Sequence, residues 1–165
     1  MKQTPFTLSE SFPIAADRMF ELWTQPDHLA KWFGPAGVKV VNHTMDLRPG
    51  GSYHFCLQGP VGEPLWGKWV FREITPPTRL VSLHSFSDEA GGVSKHPMSP
   101  TWPLEIVSTV EFQQVGDMTR VSLHWVTHNA SDLEQQTFDG AHASLQMGWG
   151  GTMAQLQAYV IRLSH

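Results

Sequence analysis

The chain has one cysteine, Cys56, in 165 residues, so no disulfide framework can form within it. It has no run of about 18 apolar residues, which argues against a membrane-crossing helix. The N-terminal MKQTPFTLSE carries no long apolar segment after its single Lys, and no secretory signal is expected. Positive charge is scarce: Lys and Arg number 11 against 15 Asp and Glu, the formal net charge is -4 and the pI is near 6.1. Nucleic acid and anionic membranes both need a basic footprint, so neither is an expected partner. Motifs that carry chemistry are missing too. There is no HExxH, no CxxC, no paired-carboxylate signature, no G-x-S-x-G elbow, no phosphate loop and no dinucleotide fingerprint. Nine His invite a metal, but His124 and His128 would stand roughly 13 Å apart on a strand, too far for one ion. His142 has no partner three or four residues away. No metal and no cofactor is expected. A cytoplasmic protein, as a monomer or a homodimer, is the simplest fit.

What the chain does have is aromatic weight and a long C-terminal helical pattern. Seven Trp and nine Phe are generous for one domain spanning residues 1–165. From Leu145 onward apolar residues fall at Trp149, Met153, Leu156, Val160 and Leu163, the period of one helical face. Ala154, Ala158 and Ile161 are expected to widen that face. A stripe this wide needs a large apolar surface to lie against. Ser131 and Glu134 have the form of a capping box, so a helical turn starts near Asp132. Gly148, Gly150 and Gly151 surround Trp149, each costing roughly 1 kcal/mol in a helix interior. They mark either a break between a short helix and a long one, or a place where another backbone or a ligand comes close.

Upstream, Phe6, Leu8, Phe12 and Ile14 alternate with polar residues as a half-buried strand. Glu10 interrupts its apolar face, either as a strand-end residue in solvent or as a carboxylate in a cavity. Two short helices follow, one around Met19 to Trp23 and one opened by Pro26 and stopped at Gly34-Pro35. A meander then runs through Val38–Val41, Tyr53–Leu57, Leu65–Ile74, Leu80–Phe86, Leu104–Phe112 and Val121–Trp125, with turns at Arg48–Gly51, Gly59–Gly62 and Gly116-Asp117. The polar segment from Ser87 to Pro103 is too long for a hairpin and reads as a lid or rim. The fold class is therefore α+β: a curved antiparallel sheet of about six to seven strands wrapped around a long C-terminal helix.

Four motifs in register carry a family resemblance. Phe12 through Pro35 reads F-x-x-x-x-x-x-x-F-x-x-W-T-x-P-x-x-L-x-x-W-F-G-P. Asp46-Leu47-Arg48-x-Gly50-Gly51 follows, then Gly67-x-Trp69-x-Phe71-x-Glu73-Ile74-x-Pro76-Pro77-x-Arg79-Leu80, and last Gly148-Trp149-Gly150-Gly151-Thr152-x-x-x-Leu156. In this order they resemble the START-like (SRPBCC) superfamily, and within it the bacterial group named after the C-terminal domain of the activator of heat-shock protein 90 ATPase. The resemblance spans nearly the whole chain. It implies a helix-grip fold with a cavity between sheet and C-terminal helix, and little about chemistry, since superfamily members include binders of lipids, sterols and polyketides as well as cyclases and hydrolases. The chain departs from the group at Glu10, where relatives often have a basic residue, and at Ile14-Ala15, where Ala-Pro is usual.

The expected cavity wall takes Trp32 and Phe33 from the second short helix, and Trp69, Phe71, Phe86, Leu123 and Trp125 from the strands. Leu145, Trp149 and Met153 come from the C-terminal helix, and Trp102 stands near the mouth. Trp66 is a further aromatic at a loop edge. Core packing is the competing role for each of them. Glu10 and His84 are the candidate polar groups. The expected function is binding of a small apolar or aromatic molecule. The alternatives are a cyclase- or hydrolase-like enzyme using the same cavity and a protein-interaction module like the chaperone activator. A floor without titratable groups favours binding, and a carboxylate or His of shifted pKa in the cavity favours the enzyme. A large exposed apolar patch elsewhere favours the interaction module.

Overall fold

The structure, a computed structural model, describes residues 4–164; Lys2, the basic residue of the N-terminal segment, lies outside them. Strand β1 (Phe6–Phe12) leads into helices α1 (Ala16–Thr24) and α2 (Pro26–Trp32). Strands β2 (Lys39–Met45), β3 (Ser52–Gln58), β4 (Leu65–Thr75) and β5 (Arg79–Ser87) follow, then β6 (Val93–Ser94), β7 (Glu105–Val115) and β8 (Met118–His128). Helices α3 (Asp132–Gly140) and α4 (His142–Leu163) end the chain. All pairings are antiparallel and the sheet order is β1-β8-β7-β5-β4-β3-β2, with β6 added to β5. The count is eight strands rather than six or seven, because the Ser87–Pro103 segment contains β6.

Local chemistry explains most boundaries. Pro26 opens α2 at the position where a missing N–H costs nothing, and Asp27 and Lys31 complement the helix dipole. Gly116 takes φ 60°, the left-handed conformation needed by the two-residue turn between β7 and β8. The capping box is present: Ser131 Oγ accepts from the Glu134 N–H at 3.1 Å, and Glu134 Oε1 accepts from the Ser131 N–H at 2.9 Å.

Two expectations about the last helix need correction. The break falls at Gly140–Ala141, between α3 and α4, and α4 runs unbroken through Gly148, Gly150 and Gly151. Among the described residues no protein group approaches closely either: an added Cβ would meet nothing within 4 Å at Gly148 or Gly150, and at Gly151 only ordinary contact, 3.4 Å from Pro35 Cβ. Second, Ala154, Ala158 and Ile161 face solvent, and Thr152 and Tyr159 complete the buried face with Trp149, Met153, Leu156 and Val160. At 100° per residue, 152 and 159 fall beside 149, 153, 156 and 160, and 154, 158 and 161 fall outside.

The core fills one end of the space between sheet and helices. Trp23 packs on Trp32 with ring centroids 4.8 Å apart, and Phe20 meets Phe112 edge-on at 5.4 Å. Leu22, Leu29, Leu156 and Val160 have no exposed surface. Among strands, α4 lies closest to the sheet-edge strand β1, with α2 and α3 beside it. No helix among the described residues is long and apolar enough to cross a membrane.

Candidate functional site

Because α4 leans on β1, it leaves a gap over β3, β4 and β5. That gap is a cavity of about 580 Å³. The strand register sets its floor. Tyr53, Trp69, His84, Ile106 and Thr127 form one cross-strand row, and Phe71, Ser82, Ser108, Trp125 and Phe6 form the next. Side chains along such rows share a face of the sheet. A third row holds Phe55, Gly67 and Phe86. At Gly67 an added Cβ would stand 2.5 Å from Phe55 Cζ, so the Phe55 ring lies over bare backbone.

The roof is the first half of α4. Leu145, Gly148, Trp149 and Thr152 line it, with Ala141 and Ser144 at its start and Thr137 of α3 beside them. Trp149 is a partition. One side of its ring stacks 6.2 Å from Trp23 in the solid core, and Trp125 meets it edge-on at 5.7 Å on the cavity side. Phe33, Gly34 and Pro35, after α2, close a third wall, where Phe33 contacts Phe55 and Trp69 at 5.2 Å each.

The Ser87–Pro103 segment rims the opening with His96, Ser99 and Trp102, opposite Leu57, Leu65 and Trp66. Hydrogen bonds from the sheet pin its first turn: Lys68 Nζ donates to the Gly91 carbonyl at 2.8 Å, and His54 Nε2 donates to that of Asp88 at 3.0 Å. His96 packs 4.6 Å from Phe86, accepts at Nδ1 from the Met98 N–H, and has its pKa lowered by burial. Trp102 leans on Phe138 of α3.

Among the described residues no Asp, Glu, Lys or Arg side chain lines the cavity. The polar group at its floor is His84. Its ring stacks on Trp69 at 4.7 Å and 2°, and meets Trp125 edge-on at 5.4 Å. Nε2 lies 3.0 Å from Ser82 Oγ. Burial without a charged partner pushes its pKa down from 6.5 to about 3. The imidazole is therefore neutral at ordinary pH. Burial likewise raises the pKa of the Tyr53 hydroxyl, further along the same row.

The structure brings Phe33, Trp69, Phe86, Trp102, Trp125, Leu145 and Trp149 together around the cavity, with His84 at its floor. Trp66, noted at a loop edge, is also in the wall. Trp32, Phe71, Leu123 and Met153 are elsewhere. Trp32 is 2 % exposed, donates from Nε1 to the Leu22 carbonyl and stands behind Phe33. Phe71, Leu123 and Met153 belong to the solid core. Met153 is one helical turn past Trp149, a rise of about 6 Å that carries it beyond the partition. Glu10 is exposed on the edge strand β1, paired with Val121 and outside the cavity; a charge on an edge strand discourages further strand pairing. Phe55, Leu57, Ile106 and His96 were missed. The alternation that marked Trp69 also marks Phe55 and Leu57, whereas nothing in the sequence points to His96. Among the described residues no three His, Cys, Asp or Glu side chains gather closely enough to hold a metal ion.

An antiparallel sheet gripping a C-terminal helix, with a cavity between them, is the helix-grip fold. The family described as activator of Hsp90 ATPase homolog 1-like protein matches residues 13–161, and the chain belongs to that family. Solved structures agree in fold. A protein from Nitrosomonas europaea is 24 % identical with a TM-score of 0.72, over 96 % of this chain and 94 % of its own. A protein from Rhodobacter sphaeroides has a TM-score of 0.77 at 15 % identity, over 98 % and 95 % of the two chains. The AHSA1 protein from Silicibacter pomeroyi has a TM-score of 0.74 at 18 % identity, over 98 % and 100 %. No curated protein matches in sequence.

Proposed function

We propose that this chain is a small-molecule binding protein that takes an apolar or aromatic ligand into the space between β3–β5 and α4. The observation that carries the reading is a cavity of about 580 Å³ walled by Trp, Phe and Leu side chains, open on one side and, among the described residues, free of charged groups. Its size falls within the range usual for ligand sites. A His of lowered pKa at the floor is the feature set above for an enzyme, but its cause argues against that role. The shift comes from burial alone, and a base of pKa near 3 draws protons weakly at neutral pH. Among the described residues no carboxylate orients the ring. His84 is better suited to hydrogen bonding than to proton transfer. The interaction reading draws on the family name.

The test uses Nile red, an uncharged dye whose emission rises in apolar surroundings. It should bind the folded protein with saturation. Gly148 faces the cavity with nothing within 4 Å of an added Cβ, so Gly148→Leu places a side chain in the space without a clash. Replacing a helix-interior Gly also favours the helix, by about 1 kcal/mol. The variant should keep its melting temperature and lose the dye signal. Unchanged dye binding by a well-folded Gly148→Leu would count against the cavity as the site.

A further inference from the structure

The wall says what the ligand is coated with, and the floor says what its leading end carries. Resting on the binding reading above, we propose that the cavity selects uncharged, flat molecules with a hydrogen-bond acceptor, a carbonyl or ether oxygen, at the end that enters first, and that His84 Nδ1–H is the donor that meets it.

The argument is a hydrogen-bond assignment from the network. A neutral imidazole has one N–H and one bare nitrogen. His84 Nε2 is 3.0 Å from Ser82 Oγ, and among the described residues Ser82 Oγ has no other partner. Ser82 is 2 % exposed and stands opposite Ser108 on β7, whose buried hydroxyl has no partner either. If Nε2 carried the proton, the Ser82 O–H would be a buried donor with nothing to donate to, at a cost of about 1–3 kcal/mol. If the Ser82 O–H donates to Nε2, that cost disappears. The proton then sits on Nδ1, which lacks a protein partner, on a ring that forms part of the cavity floor. A ligand that takes this N–H out of solvent must supply an acceptor in place of water or lose the bond. The ring cannot turn away, because Trp69 stacks on it at 4.7 Å and Trp125 closes its edge at 5.4 Å. Ser82 is thus a positioning residue, acting through the tautomer it imposes. The aromatic wall could also attract a cation over its ring faces, but the donor at the floor repels one, and among the described residues no acidic group lines the cavity to balance it. At water's share of about 30 Å³ per molecule, the space holds about 20 atoms of that size, enough for two or three fused rings.

Three probes of one shape separate the possibilities: 2-acetylnaphthalene, which has the acceptor; 2-isopropenylnaphthalene, in which a CH2 replaces the oxygen; and naphthalene-2-carboxamidinium, which is a planar cation. Each is titrated against Nile red bound to the wild-type protein, His84→Phe and Ser82→Ala. The ketone should bind the wild type about five- to tenfold more tightly than the alkene, the worth of one net hydrogen bond. His84→Phe keeps a ring against Trp69 and should bind both equally. Ser82→Ala frees the tautomer and should reduce the preference without abolishing binding. Long-range 1H–15N NMR of the free wild-type protein should show His84 protonated at Nδ1, a readout that needs no variant to fold. Equal binding of ketone and alkene by the wild type, a preference that survives His84→Phe, tightest binding of the cation, or a proton on Nε2 would each overturn this inference and leave the binding reading in place. If no probe and no Nile red binds, the binding reading fails and this inference goes with it.

Discussion

Acidification should destabilise the wild-type protein more than a variant in which His84 is replaced by Phe. In the folded chain burial holds the His84 pKa near 3, and in the unfolded chain it returns to 6.5. Above pH 6.5 both states are neutral at this group and it contributes no pH dependence. As the pH falls below 6.5 the unfolded chain takes up a proton that the folded chain refuses, so stability declines until about pH 3, where both are protonated. The slope approaches about 1.4 kcal/mol per pH unit. Between pH 7 and pH 5 the loss from this one ring is thus about 2 kcal/mol, an upper value because water in the open cavity hydrates the imidazolium and softens the penalty. His96, also held below its ordinary pKa by burial, adds a loss of the same sign that both proteins share. His84→Phe preserves the stack on Trp69 and leaves the Ser82 hydroxyl without an acceptor, a cost independent of pH. Urea unfolding of both proteins at pH 7 and pH 5, with matched ionic strength, reads the difference directly. The wild type should lose about 1–2 kcal/mol more than the variant. Losses that agree within about 0.5 kcal/mol would refute the claim that His84 is held neutral by burial.

Two further substitutions probe the frame around the cavity. Leu156→Ala, at a side chain with no exposed surface on the buried face of α4, should cost about 2–5 kcal/mol in urea unfolding, and a cost below roughly 0.5 kcal/mol would mean the stripe is not core. Gly67→Ala forces a methyl to within 2.5 Å of the Phe55 ring and should cost about 1–3 kcal/mol, seen as a lower melting temperature; an unchanged melting temperature would show that the ring moves aside freely.

The order of elements was legible in the sequence because period-2 and period-3.6 patterns report which side of each element faces inward. Phe6, Leu8 and Phe12 on β1, Trp69 and Phe71 on β4, and Trp149, Met153, Leu156 and Val160 on α4 all point to the buried side. Paired signals such as Ser131 with Glu134 located helix starts because both partners lie within one turn. What periodicity does not encode is distance across the space between elements. Trp149 and Met153 follow one another on the same stripe, and Phe71 and Trp69 alternate on the same strand. Yet Trp149 and Trp69 border the cavity and Met153 and Phe71 lie in solid core. The difference is set by where α4 rests, against β1 and away from β4 and β5, and by Trp23, which fills the near side of Trp149 from another helix. The role of His84 likewise depends on neighbours from three strands. Ser82 shares its strand, but Trp69 and Trp125 reach it only once β4 and β8 are in the sheet. The sequence by itself determined the elements and their inward faces, since these follow from local periodicity. Tertiary structure alone decided which inward residues meet other side chains and which meet open space, since that depends on contacts between residues far apart in the chain.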